Sequence, residues 1–173
     1  MRNGMERAAA CRFTSEKQVT LFVALQFMLG CDFDSDPQLP SARQVGDQAI
    51  KNATARIETV YDAAVDYLTA TAGKNCERIV RTLLRIRAYN LPDAPQSSGK
   101  DFVNDMLDVL RRFSPEKFEH QGEENRAVIA AARQTAKQYG ITANRGALLL
   151  AALMFMPGTG IDHDPLHPWA RTN

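Results

Sequence analysis

The sequence predicts an all-α protein, a helical bundle of about seven helices. Three observations carry that reading. No stretch of strand length alternates apolar and polar residues. Apolar residues recur instead at three-, four- and seven-residue steps. One block is also written twice: residues 13–43 align without a gap on residues 141–171, at a constant offset of 128. Thirteen of those 31 positions are identical, among them Leu25/Leu153, Phe27/Phe155, Gly30/Gly158, Asp34/Asp162, Asp36/Asp164 and Pro37/Pro165. The pair acts as a two-member alignment. What both copies keep reads as scaffold, and what one copy alone holds does not read as a shared catalytic centre.

Each copy opens on short cap residues, Thr14-Ser15-Glu16 and Thr142-Ala143-Asn144. The runs that follow, 19–29 and 147–156, are apolar nearly all round and predict two central helices. Gly30 and Pro157-Gly158 stop them. Each then leads into a D-x-D-P corner with a second proline three residues on, Pro40 and Pro168. Between the copies, Ile50, Ile57, Tyr61, Ala64 and Leu68 predict a helix over 47–72 ending at Gly73. Asn75 is placed to cap a helix over 76–89. The stripe Phe102, Met106, Val109, Leu110 and Phe113 predicts a helix over 101–113. Ser114-Pro115-Glu116 opens a short one, and 123–139 forms another ending at Gly140.

The proline-rich stretch 91–100 reads as a linker. It divides an N-terminal unit, 1–90, holding the first copy, from a C-terminal unit, 101–173, holding the second. The second copy has two helices ahead of it; the first has about a dozen residues. Ala8 aligns with Ala136, so those residues read as the tail of the corresponding helix. The first unit is expected to be cut short, as a fragment or as a core that a partner or second subunit completes.

Composition is that of an ordinary globular protein, with 45% hydrophobic and 24% charged residues. A net charge of +1 gives no global field toward nucleic acid or anionic membrane. Cys11, Cys31 and Cys76 form no C-x-x-C pair and read as reduced thiols, so a cytoplasmic location is expected. The run 19–29 followed by Gly30-Cys31 mimics a lipoprotein signal, but Glu6 and Glu16 precede it and the same run recurs deep in the chain. Neither run reaches the ~18 apolar residues of a membrane span.

Asp34/Asp36 and Asp162/Asp164 are the strongest candidates for chemistry. A carboxylate pair two residues apart can hold a divalent cation or do acid–base work. The structural alternative is more economical: each Asp accepts backbone N–H groups, and proline sits where its missing N–H costs nothing. These four are the residues that would hold a metal if one is bound, and none is expected. His163 and His167 suggest a zinc pattern, D-H-D-x-x-H, but their counterparts are Ser35 and Leu39, so both read as surface residues open to a partner. Trp169, opposite Ser41, reads as a core edge or an interface anchor. Arg78, Arg81 and Arg85 line one helix face, which fits an acidic protein surface better than nucleic acid, since no aromatic residues interleave. No phosphate-cradling loop, H-E-x-x-H or C-x-x-C occurs, so no catalytic residue and no cofactor is expected.

The block Tyr139-Gly140-Ile141-Thr142 through Asp162, Asp164, Pro165, Pro168, Trp169 and Ala170 resembles small helical bacterial proteins carrying a repeated L-M-F-x-x-G-x-x-F-D-x-D-P-x-x-P-W-A block. The resemblance covers most of 101–171 and, as a partial copy, 13–43. This chain departs from it at Pro157, where leucine is expected, and at Ser41, where the first copy lacks Trp. That group is associated with type VI secretion and toxin loci. The resemblance implies a helical accessory protein: an immunity protein, chaperone or adaptor. The expectation is a non-enzymatic protein that binds a secreted antibacterial toxin or its carrier, with a homodimer possible and no membrane contact. A metal-dependent hydrolase built on the paired D-x-D corners and a nucleic-acid-binding regulator are the alternatives.

Overall fold

The computed structural model describes residues 2–47, 49–97 and 99–168. The chain is all-α: among the described residues there are eight α-helices, three short 3-10 segments and no strand. It divides into two compact units, residues 1–67 with 160–173, and residues 68–159. The stretch expected to be a linker, 91–100, falls inside the second unit. Asn144 explains why: its side-chain amide donates to the carbonyls of Pro95 (3.0 Å) and Ser97 (3.1 Å), and Ala94 is buried.

The first unit begins with α1 (Arg2–Ala10) and α2 (Glu16–Leu29). Ser15 starts α2 through the expected cap, completed as a box by Gln18: the hydroxyl accepts from Gln18 N while the Gln18 side chain accepts from Ser15 N. A 3-10 segment, Pro40–Gly46, leads to α3 (Ala53–Ala72). The expected start of that helix at 47 is corrected to 53. Asn52 Oδ1 accepts the Ala55 amide at 3.1 Å, a side-chain cap that sets the helix start after Ile50. Phe13, Phe22 and Phe33 form the centre of this core, with Phe22 edge-on to Phe33 at 5.2 Å. Arg56, 4% exposed, lies 4.8 Å over the Phe13 ring and donates to the carbonyls of Cys11 and Asp47. It links the end of α1 to α3, a buried cation held by carbonyl dipoles.

The second unit contains α4 (Glu77–Ala88), α5 (Gly99–Phe113), α6 (Pro115–Gln121), α7 (Glu124–Gln138) and α8 (Asn144–Phe155). Asn75 does not cap α4 as expected. Asn75 and Cys76 both take left-handed backbone, φ 55° and 60°, and turn the chain between α3 and α4. Met106 and Leu110 of α5, Val128, Ile129 and Ala132 of α7, and Leu148 and Phe155 of α8 form the core. Lys117, 7% exposed, donates to the carbonyls of Phe155 and Met156, neutralising the end of α8.

The two apolar helices are not buried all round, as their composition suggested. Leu25 is 0% exposed and its counterpart Leu153 41%; Phe27 is 75% exposed and its counterpart Phe155 0%. Identical residues at aligned positions therefore face differently, because each helix packs into a different unit.

Candidate functional site

The two D-x-D-P corners share several hydrogen bonds at the offset of 128, although Phe33 N to Gly30 O and Asp36 N to Asp32 O occur in the first alone among those of the described residues. Gly30 N donates to Gln26 O (3.0 Å) and Gly158 N to Met154 O (3.1 Å), with φ of 97° and 116° that only glycine takes cheaply. Ser35 N donates to Asp32 O and His163 N to Gly160 O. Asp36 Oδ1 accepts Gln38 N at 2.8 Å, and Asp164 Oδ1 accepts Leu166 N at 2.8 Å. Upstream, Phe13 N donates to Ala8 O and Ile141 N to Ala136 O, with Arg12 and Gly140 both left-handed at φ 61° and 67°. The second aspartate of each motif is 2% exposed. Such a carboxylate must be satisfied where it sits, and backbone amides do that.

Asp164 does more. Its Oδ2 accepts the buried amide of Cys31 at 2.9 Å, joining residues 133 positions apart within the first unit. The first aspartates are held as well. Asp34 Oδ1 accepts from Arg7, and Asp162 Oδ1 lies 2.9 Å from His163 Nδ1. Among the described residues, Asp34, Asp36, Asp162 and Asp164 do not assemble as one metal-donor set.

A different set does converge. Cys31 Sγ, Asp32 and His163 place their donor atoms within 4.8 Å of one another. The thiol lies 3.6 Å from Asp32 Oδ1, and Asp32 Oδ2 lies 2.5 Å from His163 Nε2. Arg7 donates to Asp32 Oδ1 at 2.8 Å and also to Asp34 and the Cys31 carbonyl. Gly160 makes room for this cluster: a Cβ there would lie 2.9 Å from Asp32 Oδ2 and 3.0 Å from Asp32 Cβ. Burial pushes the Cys31 thiol up to about 12, with the charges of Asp32 and Asp164 adding to it. Desolvation opposes charge on His163, but hydrogen bonds to Asp32 and Asp162 outweigh it and raise the imidazole above its ordinary value.

Sequence reasoning missed Arg7, Cys31 and Asp32. The signal was present in the positions where the copies differ. Cys31, Asp32 and His163 stand opposite Thr159, Gly160 and Ser35. His167 is half-buried, its amide bonded to Asp164 O at 3.0 Å. Trp169 lies outside the described residues.

A second feature lies on α4. Arg78 and Arg85 were expected to form an outward stripe with Arg81. Arg78 instead donates to Ala70 O near the end of α3, and Arg85 to Phe113 O, 3.1 Å, at the end of α5. Both satisfy orphan carbonyls. Arg81 and Arg87 remain exposed. The apolar residues of α4 divide: Ile79 and Ile86 are half-buried, Val80, Leu83 and Leu84 are 54%, 53% and 57% exposed, and Thr82 is buried. Thr82 can go inside because its hydroxyl bonds back to Arg78 O at 2.9 Å. The stripe Val80, Leu83, Leu84, Arg87 runs down the helix to a cleft of about 160 Å³ lined by Ile86, Arg87, Tyr89, Phe113, Leu148 and Leu149. That volume holds one apolar side chain and is too small for a cofactor.

No family model, curated protein or solved structure matches this chain. No helix among the described residues is long and apolar enough to cross a membrane.

Proposed function

We propose that this chain is a non-enzymatic accessory protein that binds another protein through α4. One observation carries the reading: three large apolar side chains stand uncovered on one helix face that leads into a one-side-chain cleft. Covering Val80, Leu83 and Leu84 would return roughly 1 kcal/mol or more each. The partner is an amphipathic helix with acidic flanks. Four arginines against one glutamate on α4 favour acidic residues opposite, and they disfavour a second copy of α4, which would bring arginine to arginine. The apolar residues of the partner helix would sit on the stripe, with one side chain in the cleft. The resemblance of the corner block to proteins of type VI secretion loci points to a secreted toxin or its carrier as that partner, and to an immunity, chaperone or adaptor role.

Co-purification with the products of the adjacent genes tests this. Leu84→Asp and Val80→Asp are expected to leave helix content and the unfolding midpoint within about 0.5 kcal/mol of wild type. Each should weaken the complex by about 30-fold or more. Arg81→Glu should slow association and flatten its salt dependence. No complex at micromolar concentration, or one indifferent to Leu84→Asp, contradicts the reading.

A further inference from the structure

We propose that Cys31, Asp32 and His163 form a binding site for a zinc-class divalent cation, assembled from both corners. This inference is independent of α4 and of any partner.

The donor types select the ion. Thiolate, imidazole and carboxylate together suit zinc, and neither calcium nor magnesium, which prefer oxygen alone. Zinc bonds of about 2.0–2.3 Å at tetrahedral angles place neighbouring donors about 3.3–3.8 Å apart. Cys31 Sγ stands 3.6 Å from Asp32 Oδ1, the oxygen that also accepts from Arg7, and His163 Nε2 meets the other oxygen, Oδ2, so one carboxylate oxygen serves both neighbours once the ion binds. His163 Nε2 and Asp32 Oδ2, at 2.5 Å, must part by about 1 Å as the shared proton gives way to the ion. His163 can do so, because its side chain is half exposed at a corner. Three protein donors leave a fourth position for water.

The surroundings are also those of a metal-binding histidine. Such a residue turns its second ring nitrogen to a carboxylate, which fixes the ring and its tautomer. Asp162 Oδ1 occupies that place, 2.9 Å from Nδ1. Asp32, Asp34, Asp162 and Asp164 outnumber Arg7 around the site, so a dication is favoured where a bare thiolate is not. Binding balances as one cation entering while the thiol proton of Cys31 and the imidazolium proton of His163 leave to solvent. The donors come from opposite copies and meet once: the equivalent positions, Thr159, Gly160 and Ser35, include no thiol, carboxylate or imidazole.

The test uses the full chain, reduced and freed of metal with chelator, titrated with Zn²⁺ and with Co²⁺ as a spectroscopic probe. The expected result is one ion per chain with Kd at or below about 10 µM and a near-ultraviolet thiolate-to-cobalt band. Cys31→Ser should abolish the band, and His163→Ala should weaken Zn²⁺ binding by about 10- to 100-fold. Asp162→Asn should weaken it by about 10-fold. Cys11→Ser and Cys76→Ser should change neither. Circular dichroism confirms that each variant is folded; His163→Ala, at an exposed position, keeps the test decisive should Cys31→Ser unfold. No uptake at about 100 µM metal, a band that survives Cys31→Ser, or Zn²⁺ affinity unchanged by His163→Ala overturns the proposal.

Discussion

Removing the Asp164 carboxylate should destabilise the first unit far more than removing Asp162, two residues away. Asp164 is 2% exposed and accepts two backbone amides, Cys31 N at 2.9 Å and Leu166 N at 2.8 Å. A hydrogen bond to a charged group contributes about 1.5–3 kcal/mol, and a buried donor left alone costs about 1–3 kcal/mol. The Cys31 amide is buried, so it carries most of the loss; the Leu166 amide is partly exposed, and water can replace its acceptor. Asp164→Ala should therefore cost roughly 3–4 kcal/mol, a fall in Tm of about 10 °C for a chain of this length. Asp164→Asn keeps one acceptor and turns a donor toward the other amide, so about half that loss is expected. Asp162→Ala removes a partly exposed contact to His163 and should cost under about 1 kcal/mol. Urea unfolding followed by far-ultraviolet circular dichroism measures all three. Asp164→Ala within about 0.5 kcal/mol of wild type, or Asp162→Ala as costly as Asp164→Ala, would refute the reasoning.

Arg56→Met should destabilise by about 2–5 kcal/mol, because the Cys11 and Asp47 carbonyls lose a buried donor, and thermal unfolding reads this directly. Gly160→Ala should disturb Asp32, whose Cβ would lie 3.0 Å from the new methyl, and lower stability by about 1–3 kcal/mol in the same assay. With chelator present, His163 should add a pH-dependent increment to stability. Its folded pKa is raised above the unfolded value, so the increment is complete below the ordinary imidazole range and is lost as pH rises through the raised value. The stability difference between wild type and His163→Gln should shrink as pH increases; a difference that grows with pH contradicts the two carboxylate contacts.

Much of the fold was legible. Ser15, Pro115 at the start of α6 and the stripe Phe102 to Phe113 mark helix starts and faces as read from the sequence, although Ser114 makes no side-chain cap bond. The corners were legible as structure because the carboxylate–proline spacing matched a hydrogen-bonding need. What sequence could not give was facing. Residues 77–88 carry apolar residues on more than one side, and the Arg78 and Arg85 bonds to carbonyls of α3 and α5, with Thr82 inside, accompany the exposure of Val80, Leu83 and Leu84. The same limit hid the cluster: Cys31 and His163 are 132 positions apart, and the Asp164 bond to the Cys31 amide is what brings them together. His163 has no twin in the first copy, and its contact with Asp32 belongs to the positions where the copies differ.

Amide hydrogen exchange on the intact chain tests the structural claim most directly. If the buried aspartates tie the corners through backbone donors, the amides of Cys31, Gln38 and Leu166 are protected, and Asp164→Ala frees Cys31 and Leu166 while Gln38, bound to Asp36, stays slow. Exchange of Cys31 at the rate of an open chain in the wild type, or no change on Asp164→Ala, would mean that the carboxylate does not hold the corner.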